Sequence, residues 1–286
     1  MKYMVKGFTL IASIALFGVL GCHQSDPPAP SVNTSEFGRV GDSIRFAGRN
    51  WTVKVHENQQ WGPGPNYFSG NEEDITIDSN GFLHMKIVNR QDKWMSTEVV
   101  ADESMGYGTY IFTVEGSLDN IPENIVLGLF TWDNNTFASD ANSEVDIEIS
   151  RWGNAGDSTT LQYGVQPINF GTLYPERMNR PAYQAGKLNG VTTHAFTWTD
   201  TLITWVSYEG DTYGQGAMLG EWDFDLGFPA RVKEEGGRKS APVVIPAPGS
   251  ETTARINLWI LPWVNPAPTD GREQEIIIRN FEYRPL

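Results

Sequence analysis

Cysteine is almost missing: the 286 residues contain one, Cys22, which excludes an internal disulfide framework and a Cys-rich metal site. No apolar run is long enough to cross a bilayer, since the stretch from Phe8 to Leu20 falls short of the ~20 residues a spanning helix needs. No segment carries a sustained i, i+3, i+4, i+7 apolar stripe, and 29 Gly with 17 Pro interrupt the chain too often for long helices. Basic side chains are scarce, 21 Lys and Arg against 35 Asp and Glu, so the average surface repels polyanions, which argues against nucleic acid as a partner. The four histidines, His23, His56, His84 and His194, are far apart in sequence. No Cys/His cluster, phosphate loop or nucleophile elbow appears, and no spacing supports a Ser-His-Asp set.

What is present begins with an N-terminal address. Residues 1–22, "MKYMVKGFTLIASIALFGVLGC", place Lys2 and Lys6 before an apolar run and end on small residues and Cys22, as a secretory signal does. "VLGC" resembles the lipobox of bacterial lipoproteins, which implies lipidation of Cys22 and a location in the bacterial cell envelope, exposed to the periplasm or the exterior. Residues 23–40 read as a flexible Pro/Ser-rich tether, and 41–286 as one folded domain. Without the signal, 19 basic residues face 35 acidic ones, a formal charge of −16.

From about Gly41 onward the pattern has period two. "FLHMKIV" sets Leu83, Met85 and Ile87 against Phe82, His84 and Lys86; "GTYIFTVEG", "NIVLGLFTW", "SEVDIEIS", "ARINLWILPW" and "EQEIIIRNFEY" follow the same rule. "HAFTWTDTLITWVSY" reads as a hairpin with Phe196 and Trp198 on one face of the first strand and Ile203 and Trp205 on one face of the second. The fold class is all-β, a two-sheet antiparallel sandwich or jelly roll. Residues 232–253, rich in charge, Gly and Pro, read as a surface loop.

One strand carries the chemistry. In "SEVDIEIS", Glu144, Asp146 and Glu148 share a face, while Val145, Ile147 and Ile149 can enter the core. At ~3.4 Å per residue the two Glu Cα atoms lie about 13 Å apart with Asp146 between them, and long side chains on a concave strand can converge. Paired carboxyls about 5 to 5.5 Å apart serve a retaining glycosidase, one as nucleophile and one as acid/base. Crowding like charges disfavours full ionisation, so one carboxyl should hold its proton near neutral pH. A solvent-facing strand that happens to be acidic is the bland alternative; three acids in line with no intervening base weigh against it.

"EVDIE" resembles the Glu-x-Asp-x-Glu signature of glycoside hydrolase family 16, retaining endo-acting glycanases on a concanavalin A-like jelly roll. The likeness continues in order through "GYGTYIFTVEG", "VLGLFTW", "HAFTWTDTLITWVSYEGD", "RINLWI" and "EIIIRNFEY", over about residues 45 to 285. It implies Glu144 as nucleophile, Asp146 as its assistant and Glu148 as acid/base. No extra residue separates Asp146 from Glu148, so a regular strand is expected, without the bulge of the laminarinase-like branch. The resemblance also implies substrate contacts at Asn66 and Glu98. It departs from a lichenase-like site at Val100, where an Arg would stand, and at Asn142, where a Trp would stand.

Sugar rings stack on exposed aromatics, so Trp132 and Trp152 are candidate platforms, Trp152 because a continued strand would give it the parity of Glu148; Trp94 and Trp61 rank behind them. Gln166 is a candidate donor to a sugar on the leaving-group side. Two-carboxyl chemistry requires no cofactor. A structural calcium ion, which some family members bind, is not readable from these residues, and a monomer is expected. The expected function is a retaining endo-β-glycanase acting on a polysaccharide, a neutral β-glucan. A non-catalytic lectin-like protein on the same scaffold is the alternative, and a polysaccharide lyase is disfavoured by the missing basic cluster.

Overall fold

The computed structural model describes residues 38–40, 42–168, 177–225, 234–235, 238–239 and 245–286. The expected signal 1–22 with Cys22, and the tether as far as residue 37, lie outside the described residues, as does most of the loop expected over 232–253. Of that loop, Glu234–Glu235 and Arg238–Lys239 pair as a small hairpin, and Thr253 already opens a strand.

The period-two pattern folds into two antiparallel sheets. The first runs Gly38–Val40, Ser43–Phe46, Arg49–Val53, Lys93–Ala101, Thr253–Ile260, Ile125–Trp132, Val145–Ile149, Leu161–Val165, Met178–Asn179. The second runs Ile75–Ile77, Leu83–Arg90, Gln274–Pro285, Gly108–Ser117, Asn189–Trp198, Leu202–Glu209, Met218–Asp225. The hairpin of Leu83–Arg90 with Lys93–Ala101 crosses from one to the other. The longest α-helix among the described residues, Phe137–Asp140, is a single turn.

The core lies between the sheets because the strands turn one apolar parity inward. Leu83, Met85 and Ile87 are fully buried, as are Val145, Ile147 and Ile149. The expected hairpin forms with Phe196 opposite Trp205 and Trp198 opposite Ile203, all buried. Aromatic rings join across strands: Tyr110 stacks on Phe196 at 4.7 Å and Trp205 on Trp222 at 4.7 Å. Such pairs add ~0.5–1.5 kcal/mol beyond burial, itself ~1.5–3 kcal/mol per large side chain. Two polar contacts pin the sheets together: Trp205 donates its indole N–H to the Asp146 carbonyl at 2.9 Å, and Tyr163 donates to Ser207 Oγ at 2.7 Å. The first anchors the acidic strand from behind.

Candidate active site

The solvent-side parity of the first sheet forms the floor of a cleft of about 500 Å³. Glu144, Asp146 and Glu148 line it with Glu98, Gly128, Phe130, Trp132, Arg255, Asn257 and Trp259; Lys54, Trp61 and Pro63 form one wall. Register explains the gathering, since Glu98 lies opposite Asn257, Asn257 opposite Gly128 and Gly128 opposite Glu148. Val145–Ile149 pairs without a shift on both sides, so the strand is regular, as its spacing requires.

Glu144 sits one residue before that strand, after a left-handed run at Ala141, Asn142 and Ser143 with φ of 47°, 63° and 53°. Non-glycine residues there cost of order 1–3 kcal/mol each unless the surroundings hold them. Here Thr131 Oγ1 donates to the Ser143 carbonyl at 2.8 Å and accepts from Val145 N at 3.1 Å, Ser143 Oγ donates to the Ala247 carbonyl at 2.6 Å, and Asn142 Nδ2 donates to the Asp133 carbonyl at 3.0 Å. The turn aims Glu144 into the cleft, and Asn142, where a lichenase-like site would carry Trp, is a buried clamp rather than a cleft residue.

The three carboxyls are held above the usual range, first of all by burial. For Glu144, repulsion by Glu148 comes next, opposed by Arg255. For Asp146, repulsion by Glu144 and Glu148 follows, opposed by a 3.2 Å bond from Gln166 Nε2. Glu148 is pushed up to about 7 by burial, against the hydrogen bond from Gln162 and the charge of Arg180. The expectation that crowding raises the acid is corrected for Glu148: loss of water, not its neighbours' charge, does it.

Glu98 lines the cleft, buried between two cations, with Lys54 Nζ at 3.0 Å and Arg255 Nη1 at 3.3 Å. Arg255 stands directly opposite Val100, so the guanidinium missing at 100 is supplied from the neighbouring strand. Its Cζ lies 5.8 Å from the Trp132 ring, which lines the cleft.

Three expectations are corrected. Asn66 is buried and committed internally: Nδ2 donates to the carbonyls of Pro63 and Ile260 at 2.8 and 2.9 Å, and Oδ1 accepts from Ser96 at 3.1 Å. It pins the 62–66 turn that forms the cleft wall. Trp152 follows the end of the strand at φ 53°, so the parity argument fails; it packs beside Trp259 with Val126 and Leu261, behind the lining. Gln166 bonds Asp146 and, through Oε1, accepts from Ile168 N at 2.6 Å, positioning the acidic strand instead of lining the cleft. Trp94 packs against the core, whereas Trp61, stacked on His56 at 4.8 Å, does line the cleft.

Sequence reasoning passed over Arg255, Asn257 and Trp259, although "RINLWI" alternates them with Ile256, Leu258 and Ile260. Asn257 is 3% exposed, and its Oδ1 has no hydrogen-bond partner among the described residues. Also among the described residues, no group of three or more His, Cys, Asp or Glu is arranged to hold a metal.

No family model matches the chain, and no curated protein matches it in sequence. Its fold does match solved structures. A Bacillus licheniformis β-glucanase is 16% identical with a TM-score of 0.53, over 82% of this chain and 92% of that one. A prokaryotic β-1,3-1,4-glucanase (lichenase) from a mouse hindgut metagenome is 17% identical with a TM-score of 0.53, over 87% and 99%. An immunostimulatory antigen and pseudo β-1,3-glucanase of Mycobacterium tuberculosis is 15% identical with a TM-score of 0.54, over 80% and 88%. The likeness is one of fold: the chain has the jelly-roll β-sandwich of the glycoside hydrolase family 16 glucanases.

Proposed function

We propose that the chain is a retaining, endo-acting β-glycanase that hydrolyses a neutral β-glucan, held on the bacterial envelope as a monomer by a lipid on Cys22. The observation that carries the reading is the acidic strand at the floor of the cleft, where burial pushes Glu148 up to about 7 and burial with repulsion by Glu148 raises Glu144 against the pull of Arg255. The β-glucan part draws on the glucanase and lichenase activities named for proteins of the same fold.

In this mechanism the Glu144 carboxylate attacks the anomeric carbon as the glycosidic C–O bond breaks, and Glu148 gives its proton to the leaving oxygen. Glu148, now a carboxylate, takes a proton from water; the hydroxide adds to the anomeric carbon and the bond to Glu144 breaks, restoring both groups. Asp146, between them, accepts a hydrogen bond from Gln166 Nε2, which favours its charged form against burial and the charges of Glu144 and Glu148. Lys54 and Arg255 both pair with Glu98, and Arg255 also opposes the rise of Glu144.

The test is oligosaccharide release from lichenan, laminarin, xyloglucan and agarose, read by mass spectrometry, with the first-formed anomer read by NMR. Products of defined size from one polymer, β at first and absent in Glu144→Ala, are expected. An α product would overturn retention. The pseudo-glucanase of the same fold favours one second reading, binding without hydrolysis. That reading takes over if no polymer is cut while one still retards the protein in an affinity gel.

A further inference from the structure

We infer that Asp140 and Ser143 are positioning residues for the nucleophile: from the turn before Glu144 they grip one exposed residue, Ala247, and so fix the direction in which the Glu144 carboxylate points. The inference rests on reading Glu144 as the nucleophile of a glycanase. Ala247 N donates to Asp140 Oδ1 at 3.0 Å, and the Ala247 carbonyl accepts from Ser143 Oγ at 2.6 Å. Both backbone polar groups of one distant residue are therefore held by the turn.

The turn needs an outside hold because its own backbone is strained. Ala141, Asn142 and Ser143 are left-handed in succession and none of them is glycine, so the conformation persists only where the surroundings impose it. Glu144 is the next residue, and any relaxation of the turn would carry its side-chain direction along. The chemistry is sensitive to such a shift: a misplacement of ~1 Å in a reacting group can cost about a hundredfold in rate.

Ala247 belongs to a strap, residues 245–252, that is anchored at both ends. Trp198, from the second sheet, donates its indole N–H to the Pro246 carbonyl at 3.0 Å, and Met105 N donates to the Thr252 carbonyl at 2.7 Å. Between these anchors the buried Asp133 accepts from Glu251 N at 2.9 Å and from Thr252 Oγ1 at 3.2 Å through Oδ2, while its Oδ1 accepts from Asn135 N at 2.8 Å. Asp133 thus fastens the strap to the start of the turn, as Asp140 and Ser143 fasten it to the end. The approach is close enough to require glycine at 249, where a Cβ would lie 2.6 Å from Thr136 Cγ2 and nearer still to Asp133 Oδ2. Its φ lies outside the left-handed range, so space rather than backbone selects glycine there. None of Asp140, Ser143, Ala247 and Gly249 lines the cleft. Whatever they contribute to turnover passes through the turn.

The experiment measures kcat and KM of the full-length chain on whichever of lichenan, laminarin, xyloglucan and agarose the wild type cuts. Asp140→Ala, Asp140→Asn, Ser143→Ala and Gly249→Ala are compared, each assayed well below its own thermal midpoint. Asp140→Ala, Ser143→Ala and Gly249→Ala should each lower kcat about ten- to hundredfold with KM within about twofold of wild type. Asp140→Asn keeps an oxygen to accept from Ala247 N, so its kcat should return to within about threefold of wild type. Lower midpoints with kcat intact overturn the inference, leaving the strap a stability element and the glycanase standing. A rise in KM at constant kcat also overturns it, because the strap would then act on substrate binding. Should Ser143→Ala not fold, Asp140→Ala against Asp140→Asn still decides. A wild type that cuts none of the polymers overturns the glycanase reading and this inference with it.

Discussion

Gln162 gives its side-chain N–H to Glu148 Oε2 at 2.8 Å, and Arg180 decides which end of that amide faces the carboxyl. Arg180 can only donate, and its Nη1 reaches Gln162 Oε1 at 3.2 Å, so the amide nitrogen must point to Glu148. Arg180 is itself fixed by Asp157 at 2.8 Å and by the Ser150 carbonyl at 3.2 Å. The chain Asp157, Arg180, Gln162, Glu148 engages one carboxyl oxygen from the side and opposes the upward push of burial.

A pH profile reads this directly. Glu148 must carry its proton to act as acid, so kcat/KM should fall as pH rises through about 7. Gln162→Leu and Arg180→Met each remove an influence that favours the charged form, so the alkaline limb should move to higher pH, and Arg180→Lys should bring it part of the way back. Glu144 and Asp146 on the same strand, with Glu98, Lys54 and Arg255 across the cleft, are unchanged in all three variants. A fall in kcat with the limb in its wild-type place would reduce the pair to a structural role.

Glu148 also costs stability at high pH. Its folded-state value of about 7 exceeds the ordinary 4.5, so the folded state binds the extra proton between them. Its stabilising contribution is complete below about 4.5 and lost as pH rises toward 7, a swing of roughly 3 kcal/mol. Glu148→Gln keeps the shape and cannot ionise. Its thermal midpoint should lie above wild type at pH 8 and meet it near pH 5, while hydrolysis of unactivated glucan disappears. A constant difference across that range would show that burial of the charge is not the cause.

Much of this was legible in the sequence wherever parity alone decides. Leu83, Met85 and Ile87, and Val145, Ile147 and Ile149, went inward because a strand has two faces and one is dry. The same rule put Phe196 and Trp198, and Ile203 and Trp205, on the buried faces of the expected hairpin. The failures fall where parity stops or where partners are distant. Trp152 was assigned by extending a strand that ends at Ile149. Asn66 and Gln166 have the right chemistry for sugar hydroxyls, but the Ile260 carbonyl and the Asp146 carboxylate claim them. Arg255 could be seen as cleft-facing, yet its place opposite Val100 depends on strand order, which no local pattern encodes.

His194 gives an acid-side prediction of opposite sign to Glu148. It is fully buried between Thr192 Oγ1 and Ser207 Oγ, each at 2.8 Å, and burial lowers its pKa to about 3. The unfolded chain takes a proton near 6.5, so stability should fall as pH drops from about 6.5 toward 3, by about 1.4 kcal/mol per unit. Denaturant unfolding of His194→Gln should give a shallower decline across that window. Parallel curves for the two proteins would place the acid sensitivity elsewhere.

Gly128 and Asn257 form the tightest point of the cleft floor. A Cβ on Gly128 would lie 2.4 Å from Asn257 Oδ1, and Gly128 is directly opposite both Asn257 and Glu148. Gly128→Ala must therefore push the Asn257 amide aside or bend a central strand, a cost of about 1–3 kcal/mol. Asn257 lines the cleft, with its buried Oδ1 unpaired among the described residues, so displacing the amide should lower kcat/KM as well. Asn257→Ala should lose that activity with little loss of stability. The double variant separates the two effects: with the amide gone, the added methyl has room, and stability should return toward that of Asn257→Ala while activity stays low. Additive destabilisation in this cycle, measured by urea unfolding, would mean that the methyl clashes with something other than Asn257.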